Sequence, residues 1–216
     1  MNYETARRQM LTQQIRTWDV LDDRVLDVVG TTPREAFVPE SDRDLAFADI
    51  EVPLAHGQCM MQPKVEARLL QELRIEASDY ALEIGTGSGY LAACLARLAD
   101  HVVSIEIFPD LSDAAAAKLE RIGIDNVDLR VEDATQADFD DKFDVVAVTA
   151  SVPRIEDRFI QLLKPDGRMF IVVGRPPVME AKLVKMHADG SWTEQSLFDT
   201  MLTPMINADQ SEPFVL

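Results

Sequence analysis

Cysteine is scarce in this chain. The two present, Cys59 and Cys94, are far apart and in no metal-ligand spacing, so neither a disulfide framework nor a zinc site is expected. Cys94 falls in an apolar helical stretch and reads as core. Histidine is almost as rare: His56, His101 and His187 form no Ser-His-Asp constellation, and no metal site is expected. Positive charge is short as well, with 21 Lys and Arg against 38 Asp and Glu and a net charge of −17. Such a field repels phosphate backbones and anionic lipid, which argues against a nucleic-acid or membrane-surface partner. No apolar run approaches the ~20 residues that span a bilayer. The opening MNYETARRQM is charged and lacks an apolar h-region, so no signal peptide is expected and the cytoplasm is the expected compartment. Internal repeats, low-complexity tracts and long linkers are missing too. The expected organisation is a single domain over 1–216, with a helical module and loop in 1–75 and a core in 76–216.

What is present is a change of pattern. The first fifty residues read as helices, one over 5–16 and another over 22–29, with Asp22 placed to cap the second and Gly30 to end it. A loop over 50–63 carries HGQCMMQP, and Val65, Leu69, Leu70 and Leu73 then recur at helical spacing. From residue 79 strands and helices alternate. Strands are expected at 80–84, 101–105, 127–131, 143–148 and 168–173, with helices at 90–98, 110–121 and 155–163. Two further runs, 182–187 and 192–198, flank Ala-Asp-Gly and read as a β-hairpin. Alternation of this kind implies an α/β fold with a doubly wound, mostly parallel sheet covered on both faces, here with N-terminal helices and a C-terminal antiparallel hairpin.

The first strand runs into Gly85-x-Gly87-x-Gly89 and then a helix. Glycines serve where the backbone turns tightly and a ligand comes close. A dinucleotide fingerprint would place its third glycine at position 90, which is Tyr90, and no Gly-Lys follows for a Walker loop. Glu83, just before the glycines, would oppose a pyrophosphate but suits a phosphate-free cofactor with a cationic amino-acid end. S-adenosylmethionine has that chemistry. Glu106, ending the second strand, can accept bonds from ribose hydroxyls, and Asp133, after the third, can accept the adenine amino group. Each acid alone reads as a solvated strand end; three at successive strand ends, where open α/β sheets bind ligands, read as a cofactor site.

The chain resembles the protein-L-isoaspartate O-methyltransferases. The matching stretches are PREAFVP (33–39), VPLAHGQ (52–58), ALEIGTGSGYLAA (81–93), VVSIE (102–106), GIDNVDLRVEDA (123–134), FDVVAVTASVP (143–153) and LLKPDGRMFIVVG (162–174). The resemblance implies a Rossmann-like methyltransferase fold. It also implies methyl transfer from S-adenosylmethionine, with S-adenosylhomocysteine as product, to the α-carboxyl of L-isoaspartyl residues in damaged proteins or peptides. Carried over by motif, Glu83, Gly85, Thr86, Gly87, Ser88 and Gly89 would line the methionine end, Glu106 and Ile107 the ribose, and Asp133 and Ala134 the adenine. The stretch 149–153 would border the acceptor cleft and 56–63 would cover it. His56, Gln58 and Met61 are the candidate acceptor-loop residues, with His56 read as a brace of the loop or a contact to substrate. A carboxylate acceptor is already ionised at neutral pH, so positioning and exclusion of water would suffice without a strong base.

Two departures stand out. The family's loop normally reads His-Gly-Gln-Thr-Ile-Ser-x-Pro, whereas here Cys59 and Met61 replace both hydroxyls. Losing a hydrogen bond to a charged group costs about 1.5–3 kcal/mol, roughly one to two powers of ten in rate. After the third strand, Glu132-Asp133-Ala134 stands where the family tends to Gly-Asp-Gly. The alternatives are a methyltransferase of the same fold acting on another protein carboxylate or a small molecule, or a catalytically silent S-adenosylmethionine-binding protein. An NAD oxidoreductase is the remaining, more distant reading.

Overall fold

The computed structural model describes residues 2–208. Helix α1 (Tyr3–Gln9) continues as a wider π-type turn over Met10–Ile15 and a tight 3-10 turn over Arg16–Trp18. The widened turn suits the pattern, because Met10 and Ile15, five apart, are both fully buried. Helix α2 (Asp23–Thr31) starts where expected, with the Asp22 carboxylate accepting from the Arg24 amide. Gly30 does not end it. Thr32 ends it instead, extended at φ −78° and ψ 119° because Pro33 follows.

The loop over 50–63 holds a small hairpin, β1 (Val52–Pro53) with β2 (Cys59–Met60), and α3 (Pro63–Leu73) follows with proline in its first turn. Seven strands then make the main sheet: β3 (Tyr80–Ile84), β4 (His101–Glu106), β5 (Val127–Val131), β6 (Phe143–Val152), β7 (Leu163–Arg175), β8 (Val178–Met186) and β9 (Trp192–Asp199). Their order is β5-β4-β3-β6-β7-β8-β9, parallel through β7 and antiparallel over β8 and β9. Helices α4 (Tyr90–Ala96), α5 (Pro109–Arg121) and α6 (Asp157–Ile160) lie in the crossovers. This is the Rossmann-like arrangement with an antiparallel edge.

Both faces of the central strands are apolar because both are covered. Ala81, Val102, Val145 and Ala147 pack on one face with α2, α3 and α4, while Leu82, Ile84, Val103, Val146 and Val148 pack on the other with Phe159 and Ile160. The second cover is thin. The helix expected over 155–163 is only the four residues of α6, because Leu163 joins β7 opposite Phe143. Among the described residues no helix is long and apolar enough to cross a membrane.

The strand order places β4 and β6 on opposite sides of β3, so the chain reverses direction across the sheet at the carboxyl end of β3. Open α/β sheets bind ligands at that reversal.

Candidate active site

The turn after β3 is shaped by what flanks it. At Gly85, φ 99°, a Cβ would lie 2.3 Å from Thr149 Oγ1, so glycine alone lets the turn pass over the end of β6. The Thr149 hydroxyl donates to the carbonyls of Ile84 and Gly85, at 2.9 and 2.7 Å. At Gly89, φ 84°, a Cβ would come within 2.9 Å of that of Ala115, so this glycine seats the turn against α5.

A cleft opens above these strand ends, where ligands of open α/β sheets bind. On one side Glu106, 6% exposed, accepts from the Gly87 amide at 2.8 Å and from the Phe108 amide at 3.1 Å. These bonds fix the carboxylate and leave lone pairs for hydroxyl donors in the cleft. Asp133 accepts from the Thr135 amide and hydroxyl and from Asn207 Nδ2, all at 2.8 Å. Burial works against its charge, but the bonds from Asn207 and Thr135 outweigh it and hold the carboxyl below its usual range.

Of the ten residues expected around a cofactor, Gly85, Gly87, Glu106, Ile107, Asp133 and Ala134 line the cleft. Glu83, Thr86, Ser88 and Gly89 do not. Glu83 is fully buried behind the turn, where one oxygen accepts from Ser104 Oγ and Oε1 has no partner. Burial pushes its carboxyl up to about 8, with Ser104 pulling back and Glu106 adding to the rise. Thr86 is spent on the same Ser104 hydroxyl at 2.6 Å.

The loop candidates divide. Gln58 and Met61 line the cleft. His56 does not: its ring stacks on Phe108 at 4.1 Å and 7°, and Nε2 lies 2.9 Å from both Asp110 oxygens, so it braces the loop against α5. From beneath, buried Arg34 donates to the carbonyls of Met61 at 2.7 Å and Ala46 at 2.8 Å, pairs with buried Glu66, and stands 4.7 Å over the Tyr90 ring. The stretch 149–153 reaches the cleft through Thr149 and Ala150.

Leu202, Thr203, Pro204, Met205 and Ile206 complete the lining and were not anticipated. They form a strap held to the end of β6: Ser151 donates its amide to the Thr203 carbonyl at 3.0 Å, and Met205 donates to that of Ser151 at 2.8 Å. No lysine, arginine or histidine lines the cleft among the described residues. Three acidic residues, Glu106, Glu132 and Asp133, line it without a cation, which disfavours a phosphate ligand and suits a hydroxyl-rich, phosphate-free nucleoside.

The family model for protein-L-isoaspartate (D-aspartate) O-methyltransferase matches residues 5–210. A protein-L-isoaspartate O-methyltransferase of Rhodopseudomonas palustris is 37% identical over 210 residues, covering 94% of this chain and 96% of its own. One from Methanoculleus marisnigri is 39% identical over 181 residues, covering 83% and 82%. Among solved structures, a Plasmodium falciparum protein assigned to the same methyltransferases, in complex with S-adenosyl-L-homocysteine, superposes with a TM-score of 0.79. It is 20% identical and covers 95% of this chain and 98% of that one, which bears on the fold alone. Matched along nearly its whole length by the family model and by curated relatives, the chain belongs to the protein-L-isoaspartate (D-aspartate) O-methyltransferase family.

Proposed function

We propose that the chain methylates the α-carboxyl of L-isoaspartyl residues in damaged proteins or peptides, using S-adenosylmethionine. The observation that carries this reading is the family match over residues 5–210, which takes in the cleft-forming turn, loop and strap alike. When bound, S-adenosylmethionine supplies a sulfonium methyl, and its transfer forms the ester C–O bond as the C–S electron pair returns to sulfur, leaving S-adenosylhomocysteine.

The chain's own residues bind and orient. Glu106, with Ile107, would hold the ribose hydroxyls, and Asp133, with Ala134, would hold the adenine amino group through its remaining lone pair. Gly85 and Gly87 would present bare backbone to the amino-acid end, with Glu83, Thr86, Ser88 and Gly89 shaping the turn from behind. Met61, Gln58 and the strap enclose the acceptor and exclude water, which strengthens every polar contact within. No side chain has to remove a proton, because the attacking carboxylate is ionised already. Another acceptor, small-molecule or protein, and a silent binder are not favoured, since the relatives described above share one activity in their names.

The test is methyl transfer from labelled S-adenosylmethionine to a short isoaspartyl peptide, with its aspartyl isomer as control. Turnover on the isoaspartyl form alone is expected. Cofactor binding without turnover on it refutes the assignment.

A further inference from the structure

The acceptor end of the cleft is poor in hydrogen-bond donors for a site that has to hold a carboxylate. Met61, Leu202 and Met205 offer none. The Thr149 hydroxyl is committed to two carbonyls, and Gln58 Nε2 is turned to the His56 carbonyl at 3.3 Å. Burial raises the Cys59 thiol above its ordinary value, leaving a weak S–H donor. Thr203 is different. The residue lines the cleft, and its hydroxyl is 3.3 Å from the Cys59 sulfur.

We propose that Thr203 is the residue that grips the acceptor carboxylate, its hydroxyl exchanging the Cys59 sulfur for a carboxylate oxygen when substrate enters. This rests on the isoaspartyl reading above and names the donor within that same site. Exchanging a thiol for an anion costs little and gains a charge-assisted bond. The hydroxyl is also pre-placed. Its backbone is fixed to the end of β6 on both sides, by Ser151 N to the Thr203 carbonyl at 3.0 Å and by Ser151 Oγ to the Leu202 carbonyl at 3.0 Å. Gln58, by contrast, sits on a loop and has three rotatable side-chain bonds to order. A donor on a fixed backbone loses less freedom on binding.

The test compares wild type with Thr203→Val and Thr203→Ser. Each is saturated with S-adenosylhomocysteine and titrated calorimetrically with an isoaspartyl peptide, and kcat/KM is measured alongside. Thr203→Val, which keeps the shape and removes the hydroxyl, should weaken peptide binding and lower kcat/KM by roughly tenfold or more. Thr203→Ser should stay within about threefold of wild type, and all three should bind S-adenosylhomocysteine alike. Wild-type peptide affinity and kcat/KM in Thr203→Val overturn the role of Thr203 while leaving the isoaspartyl assignment standing. Weakened S-adenosylhomocysteine binding in Thr203→Val overturns it too, by showing a structural part. A wild-type protein that binds S-adenosylhomocysteine but neither binds nor methylates the peptide overturns the assignment itself, and the role of Thr203 with it.

Discussion

The two walls of the cleft are built on different principles. One wall is the carboxyl edge of β3, β4 and β5, where Glu106 and Asp133 are held chiefly by backbone amides of the turns that follow the strands, with Asn207 reaching Asp133 from the strap. The other is a hairpin loop and a strap from opposite ends of the sequence, joined by apolar side chains and one sulfur–hydroxyl contact across 144 positions. The first wall is charged and built on strand ends. The second is apolar, assembled from afar, and anchored from beneath by Arg34. Where a site needs fixed charge it uses strand ends, whose geometry comes with the sheet; where it needs a shaped surface it borrows from wherever the chain passes.

The contrast is broken most severely at Arg34. Arg34→Met strands the buried Glu66 carboxylate and releases the Met61 carbonyl, and should lower unfolding free energy by about 3–5 kcal/mol. Denaturant titration measures this, and adding Glu66→Leu should restore most of it. If the single variant loses nothing, the loop wall does not depend on that pair.

On the charged wall, Glu106→Ala removes the acceptor for two backbone amides and for the ribose. It should weaken S-adenosylhomocysteine binding by roughly 100-fold, with peptide KM at saturating cofactor little changed. Calorimetry decides it, and a shift confined to peptide KM would mean that the two walls do not divide the work.

The smallest effect concerns the acid behind that wall. Burial raises the folded-state carboxyl of Glu83 to about 8, so between its ordinary value near 4.5 and about 8 the folded chain holds a proton that the unfolded chain has lost. Stability from this group is therefore full at low pH and falls as pH rises through that window, by on the order of 2 kcal/mol between pH 5 and 7. Glu83→Gln removes the proton exchange, so unfolding free energy should decline less steeply with pH than in wild type. Equal slopes would place an ionised carboxylate at Glu83.

The charged wall was legible in the sequence because its parts are close together. Strand, glycines and terminal acid fall within a few residues each, and the pleat fixes where they point. The strap was not legible: Asn207 meets Asp133 across 74 positions, and nothing in residues 199–208 has a period that announces it. The helix expected at 155–163 failed for a related reason. Its apolar residues suit helix and strand alike, and pairing of Leu163 with Phe143 decided between them. Gly30 misled because a glycine near a helix end reads as a stop. Here its lack of a side chain serves packing, since a Cβ would press within 3.2 Å of Leu11 Cδ1.

The strap also orders events in time. A ribosome delivers the glycine turn and both acids long before residues 202–207, so a growing chain has the floor of its site well before the roof. Domains fold largely as their segments emerge. The wall that admits a substrate and shuts out water is thus joined to the site after its floor, and Asp133 gains its bond from Asn207 only then.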